Sequence, residues 1–191
     1  MGSSAATLSI APGTGDADLA GAIRRALRDR EATALSLQGD VAAGTDDAQA
    51  FARWVMMLAD APLPVAVAAG GELGPRGLAL LLLADIAIVD ETAAMPNPTS
   101  TPALAALAAR ALGPVGARRL VFGAADPVAT LVASGHAERT ADPEAAMAAR
   151  IAALGSPAEA RRRRAALNAS RHLNFSEALD FDLWFHTGKD A

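Results

Sequence analysis

The sequence predicts an α/β fold in which strands and helices alternate before a C-terminal part made of helices alone. Three observations predict it. Short apolar runs rich in alanine, valine, leucine and isoleucine alternate with longer amphipathic stretches as far as residue 89, which is typical of strands that alternate with helices. Only helical patterns dominate after that point. The chain has 191 residues, of which 52% are hydrophobic, and this is enough for one domain with a substantial core.

The predicted strands are short, and turn-forming residues bound them. The first strand ends at the sequence APGTG, and the third begins after Pro64, since glycine and proline interrupt regular structure. The predicted strands are residues 6–10, 34–38, 65–69 and 85–89. Residues 134–139 are predicted as a turn that leads to an edge of the sheet.

The helices follow from apolar residues at helical spacing and from their terminal signals. Asp16 and Asp18 precede the first helix, where acidic residues are favourable, and Gly113 with Pro114 separates two later helices. The predicted helices are residues 19–30, 48–59, 76–83, 103–112, 115–122, 126–133, 143–154, 157–167 and 176–184. Residues 1–135 are predicted to form the α/β core and residues 136–191 a C-terminal helical region.

Composition excludes several classes of chemistry. The chain has no cysteine and no tyrosine, which rules out disulfides, thiolate metal sites, thiol catalysis and a catalytic tyrosine. A net charge of −4 argues against nucleic acid as a partner. The longest apolar run, residues 78–84, is far shorter than the roughly 20 residues of a membrane span. No signal peptide is visible, so the expectation is a cytoplasmic protein without a membrane partner.

Metal binding and serine hydrolysis are also disfavoured. His136, His172 and His186 lie far apart and lack metal-ligand spacing. No GxSxG elbow occurs. The sequence therefore predicts no metal and structural or surface roles for the histidines.

A glycine turn between Pro64 and Asp85 carries the clearest chemical signal. The segment reads PVAVAAGGELGPRGLALLLLAD, which is an apolar strand, a glycine-rich turn and an apolar helix. Such a turn lets backbone N–H groups face a bound oxygen at the positive end of a helix dipole. This arrangement suits an oxyanion hole of the kind that stabilises a thioester enolate.

The same segment resembles the crotonases, the enoyl-CoA hydratase and isomerase family, which carry PVIAAVNGxxxGGGxxLALxCD. Further segments follow in the family's order: LSLQGDVAAGTD resembles VVLTGxGxxFSAGAD, AAMPNPT resembles AxFxxPE, and GPVGARRLVFGAADPVATLVASG resembles GxxxAxxLxLTGxxxxAxxAxxxGL. The resemblance covers about residues 35–185. It implies a ClpP/crotonase β-β-α superhelix core, a coenzyme A or acyl-carrier-protein thioester as substrate without a further cofactor, and a homotrimer or hexamer. The alanine- and arginine-rich composition indicates a bacterial source.

The resemblance also implies an oxyanion hole formed by the backbone N–H groups of Thr45 and Arg76. The Arg76 side chain is unusual at a position where the family has glycine. It either reaches a ligand carboxylate or phosphate or lies at the surface on a shifted turn. The remaining residues that the resemblance places against the thioester are Ala43, Gly44, Asp46, Gly74, Gly77, Asn97 and Thr99.

Both catalytic glutamates of the family are missing from this sequence. The family's positions correspond to Ala79 and Thr99, and neither side chain performs acid–base catalysis near neutral pH. Glu72 in the glycine turn is the candidate substitute, although an exposed loop carboxylate is the alternative interpretation. Ordinary enoyl-CoA hydration is therefore expected to be very slow, while a decarboxylation that needs only enolate stabilisation remains compatible.

Three functions remain open at this point. The first is an altered crotonase that binds an acyl thioester, and the second is a non-catalytic crotonase homologue that serves as an accessory subunit. The third is an unrelated α/β binding domain. Four consecutive arginines at 161–164 either contact a coenzyme A phosphate or form a solvated helix face with Glu159.

Overall fold

A computed structural model describes residues 4–95, 101–123, 126–171 and 177. These residues form one parallel sheet of five strands, whose order in the sheet follows their order in the chain. The strands are β1 (Ala5–Ile10), β2 (Ala34–Gly39), β3 (Val65–Ala69), β4 (Ile86–Val89) and β5 (Ala137–Arg139). The four predicted strands are confirmed. The fifth lies where a turn leading to a sheet edge was predicted, and it pairs with β4.

The helices lie largely where the sequence places them. They are α1 (Asp16–Ala26), α2 (Ala48–Ala59), α3 (Pro75–Leu83), α4 (Leu104–Gly123), α5 (Pro127–Ala133), α6 (Pro143–Ala152) and α7 (Pro157–Ser170). The two helices predicted around Gly113 are continuous in α4 but kinked, because Gly113 has φ 69° and ψ 178°. Most of the predicted helix 176–184 lies outside the described residues. No helix in the described part of the chain has the length and apolar character that crossing a membrane requires.

Helices pack on both faces of the sheet. The main core lies between one face and helices α1 to α5, with Leu37, Trp54 and Leu80 among its buried side chains. On the other face, α6 packs against β3 and β4, where Met147 and Ile151 cover Ile88. Strand β5 and helix α6 both lie within residues 136–191, and both pack with the sheet.

Arg164 attaches helix α7 to the core. Its side chain is 2% exposed and forms an ion pair with Asp85. The guanidinium also donates hydrogen bonds to the carbonyl oxygens of Leu58, Ala59 and Ala61 at 3.1, 3.3 and 3.4 Å. Leu58 and Ala59 lie in the last turn of α2 and Ala61 follows it, where the negative end of the helix dipole favours a cation.

Burial dominates the ionisation of this pair. Burial raises the pKa of Asp85, and the Arg164 guanidinium and the hydrogen bond from the Val65 N–H counteract part of that rise. Burial likewise lowers the pKa of Arg164. Both shifts have the same main cause, the removal of the two charges from water, which is the cost that a buried ion pair carries.

The four arginines at 161–164 therefore have different roles. Arg162 and Arg163 are exposed, while Arg161 donates to the carbonyl oxygen of Asp29 at 2.9 Å. Arg164 is buried, so neither a coenzyme A contact nor a uniformly solvated face describes this residue. Its role in the described structure is to close the end of α2.

Candidate oxyanion site

The glycine turn after β3 is held by the loop after β4. Asp90 packs on Gly70, and its carboxylate accepts hydrogen bonds from the Thr92 N–H and hydroxyl at 2.8 Å each. The Thr92 hydroxyl oxygen accepts a hydrogen bond from the Gly71 N–H at 3.1 Å. Desolvation acts to raise the pKa of Asp90, but the bonds from Thr92 hold that pKa below its usual value. The turn is therefore fixed before α3 begins.

Helix α3 starts directly against the segment that follows β2. Gly74 is the N-cap of the helix, and its N–H donates to the carbonyl oxygen of Val41 at 2.9 Å. A Cβ on Gly74 would lie 2.1 Å from the Ala42 oxygen, and one on Gly77 would lie 2.5 Å from the Val41 oxygen. Both contacts are too close for any side chain. The two glycines therefore allow residues 41–43 to lie flush against the first turn of α3.

The two predicted backbone donors are in different states. The Arg76 N–H donates to the carbonyl oxygen of Ala43 over 3.4 Å, which is long for a hydrogen bond between amides. No described residue accepts a hydrogen bond from the Thr45 N–H. Within the described residues, the Thr45 N–H thus has no acceptor, and the Arg76 N–H has one long bond at the positive end of the α3 dipole.

The Arg76 side chain lies in neither of the two places that the sequence suggested. It is 1% exposed and extends toward the start of α1. Its Nη1 donates to the carbonyl oxygen of Thr14 at 2.7 Å, and its Nη2 lies 3.4 Å from Asp16 Oδ1. Its Nε has no hydrogen-bond partner among the described residues. The guanidinium is therefore a buried structural cation rather than a ligand contact or a surface group.

Asp16 receives donors from four directions and is fully buried. Besides Arg76, its carboxylate accepts hydrogen bonds from Trp54 Nε1 at 2.9 Å and from the N–H groups of Asp46 and Asp47 at 3.0 and 3.4 Å. Asp46 Oδ1 in turn accepts from the Asp16 N–H at 2.9 Å. That bond is the main reason why the pKa of Asp46 lies below its usual value. Asp46 thus joins its loop to the start of α1, and Asp47 caps α2.

The other predicted residues divide between the surface, the core and the undescribed part. Glu72 is exposed, and its backbone forms a single bridge with Ala94. Ala43 is half-buried and Gly44 is exposed beside Thr45. Ala79 is 0% exposed and belongs to the main core. Asn97 and Thr99 lie outside the described residues.

The remaining candidates are the three histidines and a metal site. His136 lies within hydrogen-bond distance of the Leu81 carbonyl oxygen, 2.9 Å from Nε2, which is a structural role. His172 and His186 lie outside the described residues. Across the described ranges, no group of three or more histidine or acidic side chains is arranged to hold a metal ion.

Sequence reasoning missed Asp16 and Trp54 as partners of this site. Asp16 was interpreted only as a residue at the start of a helix. The sequence shows two acidic residues, Asp16 and Asp18, in one helical turn, but only the structure shows that Asp16 is buried and Asp18 exposed. A buried carboxylate requires several donors, but the sequence does not show which residues supply them across 30 to 60 positions.

Gly74→Ala is expected to lower the free energy of unfolding by about 1–3 kcal/mol, the usual range for overpacking. The new methyl group displaces Ala42 and breaks the hydrogen bonds that join residues 41–43 to α3. Urea denaturation of the variant measures the loss. Gly44→Ala is the matched control, because a Cβ there meets nothing within 4 Å. Equal stability of the two variants would contradict the close packing at Gly74.

Solved structures with this fold cover almost the whole chain. The protein is similar to an enoyl-CoA hydratase/isomerase family protein from Silicibacter pomeroyi, with 23% identity, a TM-score of 0.72 and coverage of 95% of this chain and 94% of that chain. An enoyl-CoA hydratase from Thermoplasma volcanium GSS1 has 16% identity and a TM-score of 0.74 and covers 95% and 88%. An enoyl-CoA hydratase subunit from Geobacillus kaustophilus HTA426 has 17% identity and a TM-score of 0.74 and covers 98% and 86%.

The match lies in structure rather than in sequence. No protein-family model and no curated protein matches the sequence. At the identities of the three structures, the likeness establishes the fold and leaves the reaction to the site. The chain therefore has the crotonase fold that its sequence predicts.

Proposed function

We propose that the protein binds an acyl thioester of coenzyme A or of an acyl-carrier protein at the N-terminus of α3. The thioester oxygen accepts hydrogen bonds from the backbone N–H groups of Thr45 and Arg76. The observation that carries this proposal is that no described residue accepts a hydrogen bond from the Thr45 N–H, while the Arg76 N–H in the first turn of α3 has only one long bond, to Ala43. The shared fold with enoyl-CoA hydratases supports the choice of a thioester.

Ligand binding at this place requires one exchange of partners. The Arg76 N–H leaves the Ala43 carbonyl oxygen, at 3.4 Å, and bonds the thioester oxygen instead. A hydrogen bond of this length is weak, so losing it costs less free energy than losing a well-formed backbone hydrogen bond. A developing enolate oxygen is a stronger acceptor than a neutral carbonyl oxygen. The exchange therefore favours the enolate over the ground-state thioester.

The side chains near these donors limit the reaction. Ala79 supplies no carboxylate, and the exposed Glu72 is not held by any side-chain hydrogen bond among the described residues. Hydration of an enoyl thioester needs positioned acid and base groups, so it proceeds slowly here. Decarboxylation of a malonyl-type thioester needs less. The bond from the α-carbon to the carboxylate breaks, its electron pair forms the enolate, carbon dioxide leaves, and water protonates the α-carbon.

Calorimetric titration with crotonyl-CoA, acetyl-CoA and malonyl-CoA, followed by product analysis, tests the proposal. The expected result is binding of at least one thioester, with crotonyl-CoA left almost unhydrated. Release of carbon dioxide from malonyl-CoA would identify a decarboxylase. Hydration at an ordinary hydratase rate would contradict the absence of an acid–base pair.

A second function, an accessory subunit without catalysis, is favoured by the packing at the same place. The Arg76 N–H already has an acceptor, and the position of the family's first glutamate is filled by core packing at Ala79. This function predicts that none of the three thioesters binds. It also predicts that an enzyme that copurifies with the protein changes its activity when the protein is removed.

We further propose that the protein is bacterial and cytoplasmic and assembles as a homotrimer or hexamer, as the resemblance implies. Sedimentation equilibrium of the full chain measures the assembly. A monomer at micromolar concentration would contradict it.

A further inference from the structure

We propose that Asp16 and Arg76 form a buried positioning pair that sets the separation of the two backbone donors, Thr45 and Arg76. The inference rests on the proposed function, since it assigns what holds that site together. Arg76 carries one donor, and its side chain pairs with the Asp16 carboxylate. That carboxylate also holds residues 46 and 47, which directly follow Thr45, the residue with the other donor. Both halves of the site therefore depend on one acidic group.

The contacts form a continuous path between the two donors. On one side, the Arg76 guanidinium bonds Thr14 and lies 3.4 Å from Asp16 Oδ1. On the other side, Asp16 Oδ2 accepts hydrogen bonds from the N–H groups of Asp46 and Asp47. Residues 46 and 47 directly follow Thr45 in the chain, so holding them restricts where the Thr45 N–H can lie.

Burial makes this path stiff. The side chains of Arg76 and Asp16 are 2% and 0% exposed. Trp54, which is also fully buried, donates to the same Asp16 oxygen that faces Arg76. A charged pair removed from water resists separation, because each partner would be left unpaired in the interior. The pair therefore links residues 46 and 47 to the Arg76 side chain of α3 through one buried carboxylate.

A backbone N–H donates its hydrogen bond whatever the side chain of its residue. Substituting the side chain therefore tests whether it positions the donor without removing the donor itself. Arg76→Met keeps the N–H at residue 76 and removes the charge that draws Asp16. Asp16→Asn keeps the size of the side chain and one acceptor oxygen while it removes the negative charge. If the pair positions the donors, both variants disturb residues 45–47 even though neither removes a donor. Arg53→Met is the matched control, since Arg53 is exposed on α2.

The first measurement is amide hydrogen exchange by NMR, which needs no ligand. In Arg76→Met, the amides of Asp46 and Asp47 are expected to exchange at least about tenfold faster, although the Arg76 side chain touches neither amide. Arg53→Met should leave their exchange unchanged. Unchanged exchange in a folded Arg76→Met protein would overturn the proposed pair, whether or not the protein binds a thioester.

The second measurement compares the affinity for butyryl-CoA with that for its thioether analogue, which lacks the carbonyl oxygen. The expected result is that Arg76→Met and Asp16→Asn lose the preference for the thioester by about tenfold while they bind the thioether as the wild type does. Arg76→Lys should keep part of the preference for the thioester, since lysine keeps the positive charge. Equal preferences in folded variants and wild type would overturn the inference. A wild type without any preference would instead remove the proposed function, and the exchange data would then decide on the pair alone.

Discussion

Arg164→Ala is expected to lower the free energy of unfolding by about 3–5 kcal/mol at neutral pH, the range for breaking one side of a buried ion pair. The change leaves Asp85 charged and largely buried without its partner. It also removes hydrogen bonds from three carbonyl oxygens at the C-terminal end of α2. Urea denaturation followed by circular dichroism measures the loss.

Two controls separate the ion pair from other effects. Arg163→Ala changes an exposed neighbour on the same helix and should alter stability by less than about 0.5 kcal/mol. Arg164→Met combined with Asp85→Asn removes both charges together and should cost less than the sum of the two single changes, because no charge is left unpaired. Additive losses would show that Asp85 and Arg164 act independently.

The pH dependence of the Arg164→Ala loss follows from Asp85. Burial raises the folded-state pKa of Asp85 above its usual value, and Arg164 counteracts part of that rise. A carboxyl with a raised folded pKa adds stability below its unfolded pKa and loses it as pH rises through the folded pKa. Without Arg164 the folded pKa rises further. The destabilisation of the variant is therefore expected to shrink as the pH falls and Asp85 becomes protonated.

Ala79→Glu, which places a carboxylate where the resemblance to crotonases puts their first catalytic glutamate, is expected to destabilise the protein rather than to create a hydratase. Ala79 is 0% exposed within the main core. A glutamate there overfills the space and buries a charge, and each such effect costs at least about 1–3 kcal/mol.

Ala79→Gln is the matched control for that substitution, since it has nearly the same size and no charge. Both variants should be destabilised, with Ala79→Glu the less stable at neutral pH and the difference shrinking in acid. A stable Ala79→Glu protein that hydrates crotonyl-CoA would contradict the placement of residue 79 in the core.

The sequence predicted strands and helices well where local signals mark both ends. Helix α2 and strand β3 have the predicted bounds, because Asp47 caps the helix and Pro64 precedes the strand. Strand β5 was missed, since its three residues AER are too short and too polar for an alternating pattern. The kinked α4 was predicted as two helices because Gly113 and Pro114 usually end a helix, whereas here the second half continues beyond the kink.

From the sequence, only the backbone of the site could be predicted, and not the positions of its charged side chains. The glycine turn and the start of α3 follow from residues that are close in sequence, so their outline is visible without a structure. The burial of Arg76 is not, because its partner Asp16 lies 60 positions away and a charged side chain is usually exposed. The same holds for Arg164 and Asp85, which are 79 positions apart.

The central claim is that two backbone donors at the start of α3 recognise a thioester oxygen. The most direct test measures the dissociation constants of the wild-type protein for butyryl-CoA and for S-butyl-CoA, which differ only in the carbonyl oxygen. One or two hydrogen bonds contribute about 0.5–1.5 kcal/mol each, so the thioester should bind roughly two- to a hundredfold more tightly. Equal affinities would contradict the claim, and no binding of either ligand would contradict it and favour the accessory subunit.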